Sequence, residues 1–309
     1  MGISSAGLGS GLDVNSIVTS LMNVEKKPLT NVTAQKTDYQ SQISAYGTLK
    51  SALSTFQTSV SALTSVSKFN AQTVTSGNTS AITATSNGSA TIGDYAVTVS
   101  QLAKSQKLAL GGFTNTSDTV GTGTLTISFG TFTPAVVTPP TPSSFAPNTA
   151  KSDVTITIDS TNNTLAGVRD AINASNSSVS ATIVNDGTNN RLVITSKDTG
   201  EANSLKISVA DDDTNHLDAS GLSQLAYDPT ATAGNGKNLS QVQEAKNAIL
   251  DIDGIAIVKA SNTISDAIEG VTLNLLTTTA SSVSLGVTSN QDAVKTSVTS
   301  FVDAFNKLD

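Results

Sequence analysis

At 309 residues, with 37% hydrophobic and 4% aromatic side chains, no Trp and no Cys, the chain must build its interior from Val, Ile, Leu and Ala. It can form neither disulfides nor thiolate metal sites. A formal net charge of −7, with no basic run longer than Lys26-Lys27, argues against binding a phosphate backbone, which requires clustered Lys and Arg.

The length favours about two domains, or one large one. No segment approaches the roughly 18 apolar residues of a membrane span. The opening MGISSAGLGSGLDV lacks the basic and apolar regions of an ordinary signal peptide. Composition leaves open both a cytosolic protein and one exported without signal cleavage.

Residues 1–12 are rich in Gly and Ser and are expected to be flexible. Asp13 is a candidate N-cap for a helix carrying Ile17, Val18, Leu21 and Val24 on one apolar face. Pro28 is expected to break or kink it, because proline lacks the N–H donor and clashes with the preceding turn. Beyond it a long helix is predicted to about Val66. Val32, Tyr39, Tyr46, Leu53 and Val60 recur every seven positions, with Leu49, Phe56 and Leu63 on the interleaved row. Gln35 and Gln42 are polar, so the seam strengthens only from Leu49.

After Phe69 the period changes to two. AQTVTS, SAITATS and YAVTVS read as antiparallel strands, with Asn87-Gly88 as a hairpin signal. TLTISF and VTITID continue the pattern. Between them PAVVTPPTPSSFAPN holds five of the seven prolines and is expected to be an extended surface loop rather than a ladder. TLAGVRDAIN interrupts the strands with a short helix capped by Thr164, placing Leu165, Val168 and Ile172 on one face. VSATIV, RLVITS and SLKISV follow. Asp211–Asn238 reads as a polar loop, and strands return in AILDID, GIAIVK, GVTLNLL and SSVSLGV. Ser289 to Asp292 reads as an S-x-x-D capping box for a terminal helix with Val294, Val298, Phe301, Phe305 and Leu308 at spacings of four and three.

The expected architecture is an α+β multidomain chain: a coiled-coil-like helical leg at the termini carrying a mainly antiparallel β head of two lobes, with one small helix. Residues 1–29 form a tip with the first helix, and 30–69 with 287–309 form the leg. Residues 70–108 with 245–286 form a proximal lobe, and 109–244 a distal one. Tyr46, Leu49, Leu53, Phe56, Val60 and Leu63 are expected to pack the leg with Val298, Phe301 and Phe305. The face of Ile17, Val18, Leu21 and Val24 has nothing obvious in this chain to cover it, which marks it as a partner surface.

Candidate chemistry is sparse. His216 is the sole histidine, lies in DDDTNH, and has no G-x-S-x-G elbow to serve, so it reads as a solvated loop residue. Asp211, Asp212 and Asp213 are consecutive and lack the alternation of a calcium loop, so they read as a polar loop tip. Asp251-Ile252-Asp253-Gly254 reads as a hairpin turn. Glycines 7, 9 and 11 do not match a dinucleotide fingerprint, and Gly121 and Gly123 precede a strand, the wrong order for a phosphate loop. No catalytic residue, cofactor or metal ligand is assigned.

SSAGLGSGLDVNSIVTSLMNVEKKPL (residues 4–29) resembles the opening of the bacterial flagellar filament cap family, also called hook-associated protein 2. TLAGVRDAIN, followed by VSATIVNDG and RLVITSKDTG, resembles the IN motif shared by flagellin and hook-associated proteins. That likeness makes Leu165, Val168, Arg169, Asp170 and Ile172 an IN-motif helix. Residues 248–276 and SFVDAFNKL at 300–308 resemble the family's return from head to leg. Members of the family continue with further helix, so the resemblance implies that the chain is a fragment or is shorter than its relatives.

The resemblance also implies a non-enzymatic homo-oligomer, usually a pentamer, at the distal tip of an extracellular flagellum. Its partners would be flagellin, the hook–filament junction and an export chaperone. Export would follow the flagellar type III route without signal cleavage. A surface adhesin binding mucin or glycans through the β head is the alternative.

Overall fold

The computed structural model describes residues 13–64, 70–175 and 178–309. The expectations for residues 1–12, for a helix end near Val66 and for a change of pattern after Phe69 lie outside the described residues. The chain divides into a helical unit, up to Ala71 and from Asn290, and a strand unit, Gln72–Ser289. Among the described residues the α-helices are α1 (Val14–Thr64), α2 (Leu165–Ala174) and α3 (Gln291–Leu308).

α1 is continuous over 51 residues, about 77 Å at 1.5 Å per residue. Asp13 caps it as the sequence suggests: its Oδ1 accepts from Ser16 N at 3.0 Å, and its carbonyl accepts from Ile17 N at 3.1 Å. Of the two outcomes expected at Pro28, a break or a kink, the break does not occur. Pro28 withholds a single donor, from the carbonyl of Val24, and Val24 is exposed, so water can satisfy that oxygen. Hydroxyls along the helix bond back to its own carbonyls, Thr30 to Lys26 at 3.1 Å and Thr33 to Leu29 at 2.7 Å among them. An exposed Ser- and Thr-rich surface thus remains compatible with helix.

In the strand unit β1 (Gln72–Ser76), β2 (Ile82–Ser86) and β3 (Gly93–Gln101) come first. β4 (Lys107–Ala109), β5 (Gly123–Thr133), β6 (Val136–Val137), β7 (Pro140–Thr141), β8 (Ser144–Pro147) and β9 (Val154–Ile158) precede α2. After it run β10 (Val179–Asn185), β11 (Asn190–Ser196), β12 (Ser204–Asp211) and β13 (Ser240–Gln243). The return consists of β14 (Ala248–Ile252), β15 (Ile255–Lys259), β16 (Thr263–Ile268), β17 (Val271–Leu275) and β18 (Val283–Ser289). Every ladder between these strands is antiparallel.

Two cores result. The sheets β1-β18-β3-β14-β15 and β16-β17-β2 enclose Ile82, Val97, Val99, Leu250, Leu273 and Leu285. The sheets β10-β11-β4-β13 and β12-β5-β8, with β9 on β5, enclose Leu108, Leu125, Ile127, Leu192, Leu205 and the buried face of α2. Strand alternation explains the second core directly. In β5, Leu125, Ile127 and Phe129 point inward while Thr124, Thr126 and Ser128 are only half-buried. The chain's two passages between the cores lie side by side, where Lys104 and Lys246 exchange backbone hydrogen bonds of 2.8 and 3.0 Å.

The Asp253-Gly254 turn is as expected. Ile252 pairs with Ile255, and φ of 53° and 86° at the two loop residues suits a two-residue hairpin. Asp253 Oδ1 also accepts from Ala96 N at 2.8 Å, tying the turn to β3.

Four expectations are corrected. Asn87-Gly88 does not join paired strands, because β2 pairs with β17 while β3 lies between β14 and β18. A turn signal fixes only the local reversal; the partner is chosen by sheet packing. The proline-rich stretch does form ladders. β6 pairs with β7, and β8 returns along β5 from Thr133↔Ser144 to Gly130↔Pro147. Pro140 and Pro147 sit on short or edge strands, where a missing donor is tolerated, and the other three prolines lie between strands.

The Asp211–Asn238 segment is not merely a polar loop. Leu222, Leu225 and Tyr227 are buried, and Tyr227 exchanges backbone bonds of 2.8 Å with Ile207. Burial pushes the Tyr227 phenol up to about 12, with the Glu244 charge adding to it. Lastly, Ser289 is no cap: it ends β18 opposite Gln72, and the terminal helix starts at Gln291 with Asp292 in its first turn.

Gly123 is required by close approach. At φ 143° a Cβ there would lie 2.2 Å from the Ala210 carbonyl oxygen across the β5–β12 ladder.

The β10–β11 hairpin carries a pH-sensitive clasp. Arg191 Nε donates to Asp186 Oδ2 at 2.6 Å, and the Asn189 and Thr188 amides donate to Asp186 Oδ1 at 2.8 and 2.9 Å. These bonds, Arg191 first, lower the Asp186 pKa from 3.8 to about 2. A carboxylate depressed on folding contributes stability that is present above its unfolded pKa and lost as pH falls through the folded one. The clasp is therefore expected to weaken between 3.8 and about 2. A carboxyl-carbon NMR titration should place the Asp186 inflection near the lower value, and Arg191→Gln should return it toward the upper one.

Candidate functional site

The helical unit presents the most apolar exposed surface. Asn290 N donates to the Ala71 carbonyl at 2.8 Å, bringing the chain's return beside its exit from α1. Phe56 meets Phe301 and Phe305 at centroid distances of 5.5 and 6.2 Å, so α1 and α3 run antiparallel.

Along the seam Ala52, Phe56, Ser59 and Leu63 on α1 and Val294, Ser297, Phe301, Ala304 and Leu308 on α3 are half-buried or buried, with Val60 and Ala62 half-buried beside them. Both rows follow spacings of three and four. The most enclosed positions are small: Ser59 is 7% exposed and Ala304 3%. Small side chains let the helices approach closely enough for Phe56 to lodge between the two α3 rings. The Ser59 hydroxyl donates to the Phe56 carbonyl at 2.7 Å, so its burial leaves no unmet hydrogen bond.

The structure therefore divides the sequence-predicted leg residues. Phe56, Val60, Leu63 and Phe301 are half-buried in the pair. Tyr46, Leu49, Leu53 and Val298 are exposed, Tyr46 at 71%, and Phe305 is exposed on one side while its ring meets Phe56. The rows that meet include Ser59 and Ala304, which a search for large apolar residues passes over. Tip residues Ile17, Val18, Leu21 and Val24 are exposed on α1, as are Val32, Tyr39 and Ile43. α3 has 18 residues, about 27 Å at 1.5 Å per residue.

A second feature lies on α2. Thr164 Oγ1 accepts from Gly167 N at 3.1 Å, and Leu165, Val168 and Ile172 are fully buried. Arg169 and Asp170 lie on the outer side as a bidentate pair at 2.8 and 2.9 Å. That hydrogen bond, ahead of the charge attraction, lowers the Asp170 pKa. Asn173, which sequence reasoning left out, holds the helix to the sheet. Its Nδ2 donates to the Ala181 carbonyl at 2.8 Å and its Oδ1 accepts from Ala181 N at 2.9 Å. The amide thus imitates a neighbouring strand along the free edge of β10.

His216 is exposed, and its Nδ1 accepts from Asp211 N at 2.9 Å. Asp211 is buried, against the expectation of a loop tip, and its Oδ2 accepts from Ser223 N at 2.7 Å. This pair fixes the turn after β12. Among the described residues no three His, Asp or Glu side chains converge as metal ligands.

Two outcomes follow from this geometry. Phe56→Ala should destabilise the α1–α3 pair by about 1–3 kcal/mol, below a fully buried Phe because the ring is only partly enclosed. Tyr46→Ala should stay within about 0.5 kcal/mol in the isolated chain. Hydrogen exchange of the α3 amides distinguishes the two. Asn173→Ala should cost about 1–3 kcal/mol by leaving both Ala181 backbone groups without their partner. Accelerated exchange confined to the β10 edge would report it.

Three family models match the chain. "Flagellar hook-associated protein 2 N-terminus" covers residues 10–106, "Flagellar hook-associated protein 2 C-terminus" covers 245–309, and "Flagellin hook IN motif" covers 145–198. The chain is 39% identical over 307 residues to the flagellar hook-associated protein 2 of Escherichia coli strain K12, covering 99% of this chain and 60% of that protein. It is 37% identical to the B-type flagellar hook-associated protein 2 of Pseudomonas aeruginosa, covering 98% and 61% respectively. It thus spans about three fifths of the length of these curated relatives. Among solved structures, the D1-D2-D3 domains of the E. coli flagellar cap protein FliD superpose with a TM-score of 0.71 at 37% identity. That match covers 86% of this chain and 68% of that one. On these matches the chain belongs to the flagellar hook-associated protein 2 family.

Proposed function

We propose that the protein to which this chain belongs caps the distal end of a bacterial flagellar filament and assists insertion of exported flagellin. The observation that supports this most strongly is the match of 99% of this chain to a flagellar hook-associated protein 2, together with the exposed apolar residues spaced along α1. Exposed apolar rows of this kind mark a surface that another helix covers. The relatives are named for association with the flagellar hook, and the structural match for the cap.

In this reading α1 and α3 form the leg, and the two β cores form the lobes of the head, divided at the Lys104–Lys246 crossing. The head acts as a rigid wall, and the leg engages the filament end. The tip face of Ile17, Val18, Leu21 and Val24 contacts the filament. The working form is a homo-oligomer, delivered by the flagellar export route with an export chaperone. No bond is made or broken. Confinement and binding supply the function, so no catalytic side chain is needed. The matches offer nothing in favour of the glycan-binding alternative.

The test is complementation in the source bacterium. Deleting the gene should give absent or short filaments and flagellin in the medium, and the full-length gene should restore swimming. The same gene carrying Leu21→Asp should fail, although its strand unit melts as in the parent. A charge on that face costs about 1–3 kcal/mol or more wherever contact desolvates it. Full filaments without flagellin leakage in the deletion strain would overturn the assignment. Normal swimming with Leu21→Asp would remove the tip face from it.

A further inference from the structure

The chain holds two Asn-Gly pairs, Asn87-Gly88 and Asn235-Gly236, and the fold places them in opposite environments. An Asn followed by Gly can cyclise, because the Gly nitrogen carries no neighbouring Cβ to obstruct attack on the Asn Cγ. Negative charge then develops on Asn Oδ1. The pair that reacts is the one whose oxygen already faces donors and whose nitrogen is free of buried backbone structure.

Asn87 meets both conditions. Its Oδ1 accepts from Ser89 N at 3.0 Å and from Ser89 Oγ at 2.7 Å, a two-donor arrangement aimed at the atom that gains charge. Gly88 N donates only to a side chain, Ser86 Oγ at 3.0 Å. Ser86 in turn donates to Gln72 Oε1 at 2.6 Å, which holds its hydroxyl in place. Asn87 N donates to the Gly270 carbonyl at 3.0 Å, anchoring the main chain on one side of the reacting atoms. Asn87 is exposed, so water and base reach it.

Asn235 does not meet them. Gly236 is buried, and its nitrogen donates to the Leu217 carbonyl at 2.7 Å. A Cβ built at Gly236 would lie 3.1 Å from Leu217 Cδ2, so there is little room for the backbone to turn. Attack from this nitrogen would break a buried backbone hydrogen bond.

We propose that Asn87 is a self-modification site, at which the folded chain converts an amide into aspartate and isoaspartate while Asn235 stays intact. Gly88 N forms a bond to Asn87 Cγ as its proton passes to a solvent base. The Cγ–Nδ2 bond then breaks, and the nitrogen leaves as ammonia with a proton from water. One water molecule opens the resulting succinimide at either carbonyl, giving aspartate or isoaspartate. No oxidant, metal or second protein is consumed. Each event adds one negative charge to the turn between β2 and β3, and the isoaspartate form re-routes the backbone beside Gly270.

Incubating the 309-residue chain in mildly alkaline buffer, followed by peptide mapping, tests this. The Asn87 peptide should gain the mass of an amide-to-acid conversion and split into two isomers, while the Asn235 peptide stays unchanged. In denaturant the two rates should converge. Ser89→Ala, at an exposed position, should slow Asn87 conversion by about tenfold, less than the loss of an oxyanion donor in a water-excluded site. Ser89→Thr keeps both donors and should retain the parent rate. Conversion of Asn235 as fast as Asn87 in the folded chain would overturn the proposal. So would a rate at Asn87 that Ser89→Ala leaves unchanged in a variant melting like the parent.

Discussion

The helical pair depends on the packing of Phe56 against Phe301 and Phe305, made possible by Ser59 and Ala304. Two helices can place aromatic rings between them only if other positions are small enough to let the backbones close. Large side chains throughout both rows would hold the helices apart. With small ones at Ser59 and Ala304, one short seam closes and fixes how α1 and α3 lie against each other.

That seam also determines which surface is left over. Once Phe56, Leu63, Phe301 and Ala304 define the inner face, Tyr46, Leu49, Leu53 and Val298 turn outward. The leftover rows keep a heptad period along most of α1, so they are shaped for another helix rather than for a compact ligand. The strand unit behaves differently: its two cores enclose their own apolar residues. The two units thus differ in kind: the strand unit encloses its apolar residues, whereas the helical unit exposes many of its own.

Within the strand unit, polar side chains do much of the fastening. Asn173 pairs with the backbone of Ala181, Asp211 accepts from the Ser223 amide, and Asp253 from the Ala96 amide. Each satisfies a main-chain group at a sheet edge or turn that has no strand to do so. The same habit creates the reactive geometry at Asn87, where Ser89 and Ser86 fasten a turn and in doing so orient its amide. In a chain rich in Ser, Thr and Asn, the side chains that fasten turns also activate them.

The sequence alone determined the local structure wherever one period dominates: the capped start of α1, the α2 face of Leu165, Val168 and Ile172, the alternating strands and the Asp253-Gly254 turn. Its motif order also identified the family. Tertiary structure decided the rest. Heptad spacing could not say which of two overlapping rows would be buried, because that choice depends on small residues that carry no hydrophobic signal. Asn87-Gly88 announced a reversal, but β2 found its partner nearly two hundred residues away in β17. Leu222, Leu225 and Tyr227 lay in a stretch without period, and only the core around Ile207 gave them a reason to be buried. Periodicity reports which way a residue faces along its own element, whereas burial depends on what the rest of the chain brings to that face.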